Sequence, residues 1–144
     1  MERREVLQAG VAVLVSAASG GTAVAEQTKP GSQSKPLGAH PLGDALAGYQ
    51  GSIIEVTYPP GAESASHQHP GPTFGYVVKG SIRWAIDGEP ATVLSAGQSF
   101  FEPMGSVHST AANASTTEPA VILAVILGRT GEPLSKPATA KPGA

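Results

Sequence analysis

His67 and His69 stand two residues apart in Gly61-x5-His67-x-His69, and His108 follows in a later stretch that also carries Gly97, Pro103 and Gly105. The chain has four histidines, and all but His40 fall in these two stretches. Side chains on a strand alternate faces, so residues at i and i+2 point the same way. Two imidazoles on one face suit chelation of a divalent metal, and His108 would make a three-histidine set with open positions. Cysteine is absent, so neither a thiolate site nor a disulfide framework is available and any metal must be held by nitrogen and oxygen. Iron, zinc, manganese, nickel or copper all suit such ligands, and the ligand set alone does not choose among them.

Other side chains could join this chemistry or merely pack around it. Glu102, beside Pro103, could serve as an acid/base group or ligand, but it reads first as a strand-end carboxylate facing solvent. Tyr76, Trp84 and Phe101, with Phe74 and Phe100, could line an apolar substrate pocket; each reads first as core packing, because a small barrel must fill its interior with bulky side chains. His40 lies in Gly38-Ala39-His40-Pro41 and reads as an exposed loop histidine. A serine–histidine pair, Ser106 or Ser109 with His108, lacks an identifiable orienting carboxylate. There is no glycine-rich phosphate loop, no Gly-x-Ser-x-Gly elbow and no cysteine nucleophile.

The elements that must position these residues are short. From Tyr49 onward, β-type runs alternate with turn signals: 51–58 before Pro59-Pro60-Gly61, 74–78 before Lys79-Gly80, 82–86 before Asp87-Gly88. Further runs follow at 91–94, 98–102, 107–112 and the strongly apolar 120–127. No stretch sustains a capped 3.6-residue period, so the fold class is all-β, a sandwich or barrel. That domain spans 49–128. Residues 1–25 resemble an export signal, with Arg3 and Arg4, an apolar run, and Ala23-Val24-Ala25 as a cleavage site. The adjacent arginines suit a twin-arginine signal imperfectly, and an ordinary secretory signal or an uncleaved anchor fits as well. Residues 26–48 read as a linker or loosely packed arm, and 129–144 as a flexible tail. The net charge is −2 with charged residues at 14%, which gives no support to binding nucleic acid or an anionic membrane surface.

Gly61-x5-His67-x-His69-x10-Gly80 resembles the first motif of the cupin superfamily, and Gly97-x5-Pro103-x-Gly105-x2-His108 its second. The resemblance is to a small single-domain type-2 cupin and covers about 51–127. It implies a cupin-type β-barrel, the double-stranded β-helix or jelly roll, often a homodimer, here with residues 49–56 pairing across an interface. It also implies a metal held by His67, His69, a glutamate and His108. Thr73 occupies the glutamate position, leaving the ion's charge uncompensated and open to water or substrate. The second motif also ends irregularly, with Ala112 at the usual asparagine position and Asn113 one residue later.

The function expected is that of an exported, periplasmic or secreted cupin binding one divalent metal. Its chemistry would be of dioxygenase, lyase or isomerase type on a small oxygenated organic molecule. A non-enzymatic metal- or small-molecule-binding cupin is the alternative, and a metal-free ligand-binding barrel a third. No stable membrane span is expected after signal removal.

Overall fold

The computed structural model describes residues 29–139; the expected export signal lies outside them. In chain order the strands are β1 (Gln33–Pro41), β2 (Tyr49–Tyr58), β3 (Glu63–Ser64), β4 (His67–Gln68), β5 (Thr73–Lys79) and β6 (Ser81–Ile86). They continue with β7 (Thr92–Ser95), β8 (Ser99–Glu102), β9 (His108–Asn113), β10 (Ala120–Arg129) and β11 (Lys136–Pro137). The only helix among the described residues is a 3-10 turn, Asp44–Leu46.

β10 shows why the chain folds this way. Its sequence is uncharged from Ala120 to Gly128, yet Ala120, Ile122, Ala124 and Ile126 are buried while the residues between them are half-buried. That two-residue period, with β-branched side chains, makes a strand and not a helix. β10 pairs antiparallel with β2 on one side and β5 on the other. The resulting sheet runs β1-β2-β10-β5-β8, and a second runs β11-β4-β9-β6-β7 with β3 beside β9. The fold is thus mostly β, a double-stranded sandwich of two sheets. Tyr58, Val77, Ile82, Phe100 and Ile122 pack in its main core, and Ile54, Ala124 and Ile126 form a smaller cluster. Asp87 and Gly88, both at positive φ (52° and 77°), form a primed turn in which Glu89 N donates to Ile86 O at 3.0 Å, within the 87–91 connection from β6 to β7.

Three expectations change. Residues 33–41, expected as part of a loosely packed arm, form β1 and pair with β2 along its length. β1 is almost wholly exposed, so its order rests on backbone hydrogen bonds that leave no apolar period to read. The segment expected as a flexible tail contributes β11, which pairs with β4. Finally, β2 is flanked by β1 and β10, so residues 49–56 have no free edge for pairing across a dimer interface.

The irregular end of the second motif has a local cause. In the β6–β9 ladder Ala85 faces Thr110 while Ile86 faces His108, so Ser109 is an extra residue, a β-bulge. The bulge shifts the strand's phase by one and turns Asn113 inward. Its side-chain nitrogen donates to the carbonyls of Tyr58, Pro59 and Glu118, at 3.0, 3.1 and 2.8 Å.

Candidate metal centre

The histidine positions follow from strand phase and register. His67 and His69 project to one side, with ring centroids 4.9 Å apart. β4 pairs with β9 so that His67 lies directly opposite His108, and those rings are also 4.9 Å apart. One ligand nitrogen from each of the three falls within 4.8 Å of the other two. Two nitrogens on one ion at ~2.1 Å each stand at most ~4.2 Å apart, so a slight inward shift would bring all three to a single ion.

Hydrogen bonding selects the free nitrogens. His67 Nδ1 lies 2.8 Å from the Ala65 carbonyl oxygen and His69 Nδ1 2.7 Å from that of Leu134. A carbonyl only accepts, so each Nδ1 carries the proton and each Nε2 keeps its lone pair. Such a carbonyl partner is the usual support of a metal-bound imidazole. His108 is 4% exposed, and neither of its ring nitrogens makes a well-aligned hydrogen bond, although Glu102 Oε1 approaches Nδ1 to 3.1 Å. Buried polar atoms are normally satisfied; a cation among the three rings would satisfy this one. Burial holds all three imidazoles below their ordinary range, and His108, with His67 and His69 beside it, is pushed down to about 3. All three are therefore neutral at pH 7, the form that ligates metal. The donor set fits a divalent ion.

Glu102 does not face solvent. It is 2% exposed, with Oε1 3.1 Å from His108 Nδ1 and Oε2 3.6 Å from His69 Nε2. Burial pushes its carboxyl up from the ordinary range, and with the histidines held neutral these contacts are not ion pairs. Trp84 Nε1 donates to Oε1 at 3.4 Å. The sequence signal for this was the strand period: Phe100 is a core residue, and Glu102, two positions on, must share its face.

Thr73 is buried at 1% exposure, and its hydroxyl donates to the Gly71 carbonyl at 3.4 Å. The other candidates divide by strand phase. Thr73 and Val77 point inward on β5, whereas Phe74 and Tyr76 are exposed on the outer face, as is Phe101 on β8. Phe74 and Phe101 stack there with centroids 4.9 Å apart. Tyr76 and Phe101 therefore lie across the sheet from the histidines, and Phe100 takes the pocket position. Trp84 stands behind the site, against Phe100 and Glu102. Neither Ser106 nor Ser109 pairs with His108: Ser106 Oγ donates to Pro103 O at 2.7 Å, and Ser109 Oγ accepts from Gly88 N. His40 is exposed on β1.

The histidines and Glu102 open onto a cavity of about 670 Å³. Ile54, Val56, Ile122 and Ile126 form one wall; Tyr58, Ser32 and Ser64 carry hydroxyls; Leu134 and Pro137 cover one side. No lysine or arginine is among the lining residues.

Residues 54–126, just over half of the chain, match the family described as Cupin domain. The chain belongs to the cupin superfamily. Among solved structures, this cupin is similar to a double-stranded β-helix protein from Klebsiella pneumoniae (26% identity, TM-score 0.50, covering 57% of this chain and 70% of that one). It is also similar to a cupin domain from Bordetella pertussis (20%, TM-score 0.53, 69% and 96%). A third is the DMSP lyase DddQ from Ruegeria pomeroyi (23%, TM-score 0.51, 58% and 41%). The last two, at such identities, speak for the fold alone. No curated protein matches by sequence.

Proposed function

We propose that this cupin binds one divalent metal through His67, His69 and His108 and uses it for chemistry on a small oxygenated organic molecule. The observation that carries the reading is the convergence of three neutral imidazoles: one ligand nitrogen from each lies within 4.8 Å of the other two, the Nε2 lone pairs of His67 and His69 are free, and the buried His108 makes no well-aligned hydrogen bond at either ring nitrogen. A divalent ion held there would act as a Lewis acid toward a substrate oxygen and, if iron, would give access to dioxygen.

The protein's own residues define what else the site does. The isoleucine wall would bury a carbon skeleton, and the hydroxyls of Tyr58, Ser32 and Ser64 would orient polar substituents. With no cationic side chain in the lining, a polyanionic substrate would find no counter-charge apart from the metal. The substrate class is therefore a neutral or singly charged molecule with an apolar body and an oxygen donor. The step is of dioxygenase, lyase or isomerase type. The DMSP lyase neighbour shows the same fold in an enzyme named for lyase chemistry. The twin-arginine-like leader in the sequence supports an exported, periplasmic or secreted setting, and homodimerisation is proposed from the cupin fold alone.

The test is oxygen uptake and product formation by the metal-loaded protein across such compounds, beside His67→Ala. Turnover that disappears in the variant supports the enzyme. Tight ligand binding without turnover moves the assignment to a binding protein, and turnover unaffected by removal of all metal contradicts the site.

A further inference from the structure

Thr73 and Glu102 are register partners, directly opposite each other in the β5–β8 ladder. Directly opposed residues in an antiparallel pair share a face, with Cβ atoms about 4.5–5.5 Å apart. A carboxylate at position 102 can therefore reach the space that one at position 73 would occupy. Thr73 does not use that space: its hydroxyl turns to the Gly71 carbonyl. Glu102 does, lying 3.1 Å from a ring nitrogen of His108 and 3.6 Å from the free Nε2 of His69. Two ligand atoms each ~2.0–2.2 Å from one ion, at octahedral or tetrahedral angles, stand roughly 3.0–3.5 Å apart. Oε1 is thus within ligand–ligand spacing of His108 and Oε2 just beyond it from His69; the set of ligand atoms all within 4.8 Å of one another holds the three histidines without Glu102, so the carboxylate must turn further into the triad to join it.

On this basis, and resting on the metal site proposed above, we infer that Glu102 is the fourth protein ligand of the metal. The carboxylate has moved across the ladder from the first motif to the second, and Thr73 fills the place it left. Trp84 supports the arrangement, since its Nε1–H bonds Oε1 and leaves Oε2 unencumbered. Three imidazoles and one carboxylate would hold a divalent ion with one residual positive charge, favouring a singly charged or neutral ligand in the remaining positions.

The exchange is directly testable with Co²⁺, whose visible absorption reports ligand number and type. Wild-type protein, Glu102→Gln, and the double variant Thr73→Glu/Glu102→Thr are titrated with Co²⁺ against a competing chelator, with circular dichroism as the check on folding. Glu102→Gln is expected to weaken Co²⁺ binding by about 100-fold, since even outer-shell partners are worth ~10–100-fold, and to change the absorption envelope. The double variant is expected to recover most of that loss. Equal affinity and an identical spectrum in folded Glu102→Gln would overturn the inference and leave the histidine site standing. If Glu102→Gln does not fold, failure of the folded double variant to bind Co²⁺ would overturn it instead. Absence of Co²⁺ binding in the wild type would sink the metal site itself.

Discussion

His69 Nδ1 lies 2.7 Å from the carbonyl oxygen of Leu134, across a sequence separation of 65 residues. The same short segment pairs β11 with β4, setting Pro137 opposite His67, and Leu134, Ser135 and Pro137 line the cavity. The carboxy-terminal segment therefore fixes the orientation of one histidine and walls the site.

A chain ending at Pro133 loses that hydrogen bond, β11 and the packing of Leu134 against the Ile54, Ala124 and Ile126 cluster, but no residue of the main core. Stability should fall by about 2–4 kcal/mol, from lost hydrogen bonds and the half-buried Leu134, while metal affinity should fall by about 10–100-fold, as for other outer-shell partners. Chelator competition and urea denaturation of the same preparation separate the two effects. An unchanged metal affinity would show that the Leu134 carbonyl does not orient His69.

Gly75 and Phe100 make a second dependent pair. They are register partners, and a Cβ on residue 75 would overlap the Phe100 ring. The ring packs over the glycine, 5.5 Å from Trp84 and 6.3 Å from His108 by centroid. Gly75→Ala should cost about 1–3 kcal/mol through overpacking, and much less in a Phe100→Leu background. Additive costs in the double-mutant cycle would contradict the contact.

How much of this was legible in the sequence depended on which interactions leave a period. The histidine pair was readable because i and i+2 share a strand face, and His108 because the motif spacing placed it. The inward turn of Glu102 was implied by Phe100 two residues earlier, but a carboxylate beside a proline suggested a strand end. Tyr76 and Phe101 suggested a pocket by residue type, whereas phase puts them on the outer sheet face. β1 and the Leu134 contact left no signal: the first is an exposed strand held by backbone bonds, the second a single contact between distant residues in polar, proline-rich sequence. The Ser109 bulge shows only as an asparagine one place late.

The metal-free protein should lose stability in acid. The three histidines sit below 6.5 when folded, His108 at about 3, so the unfolded chain binds more protons between those values. Their contribution is complete above pH 6.5 and is lost as pH falls toward about 3. Glu102, raised above 4.5 by burial, acts in the opposite sense, its contribution declining as pH rises past 4.5. Urea midpoints of metal-stripped protein across this range should fall with acid, and less steeply in His108→Leu. An equally steep fall in that variant would remove His108 as the cause.

Trp84 is the only tryptophan, and its ring centroid lies 6.4 Å from that of His108. Its fluorescence should be strongly quenched by Cu²⁺ or Co²⁺ at the histidines and little affected by Zn²⁺. Saturation at one equivalent is expected. Quenching that persists in His67→Ala/His108→Ala would place the ion elsewhere.

The most direct test of the whole account is the metal content of the untagged protein purified from its natural compartment, beside His67→Ala/His108→Ala. About one equivalent of a single divalent metal per chain, lost in the folded variant, is the result the three-histidine site predicts. Negligible metal in both, with no uptake when iron, zinc, manganese, nickel and copper are offered to folded protein, would contradict it.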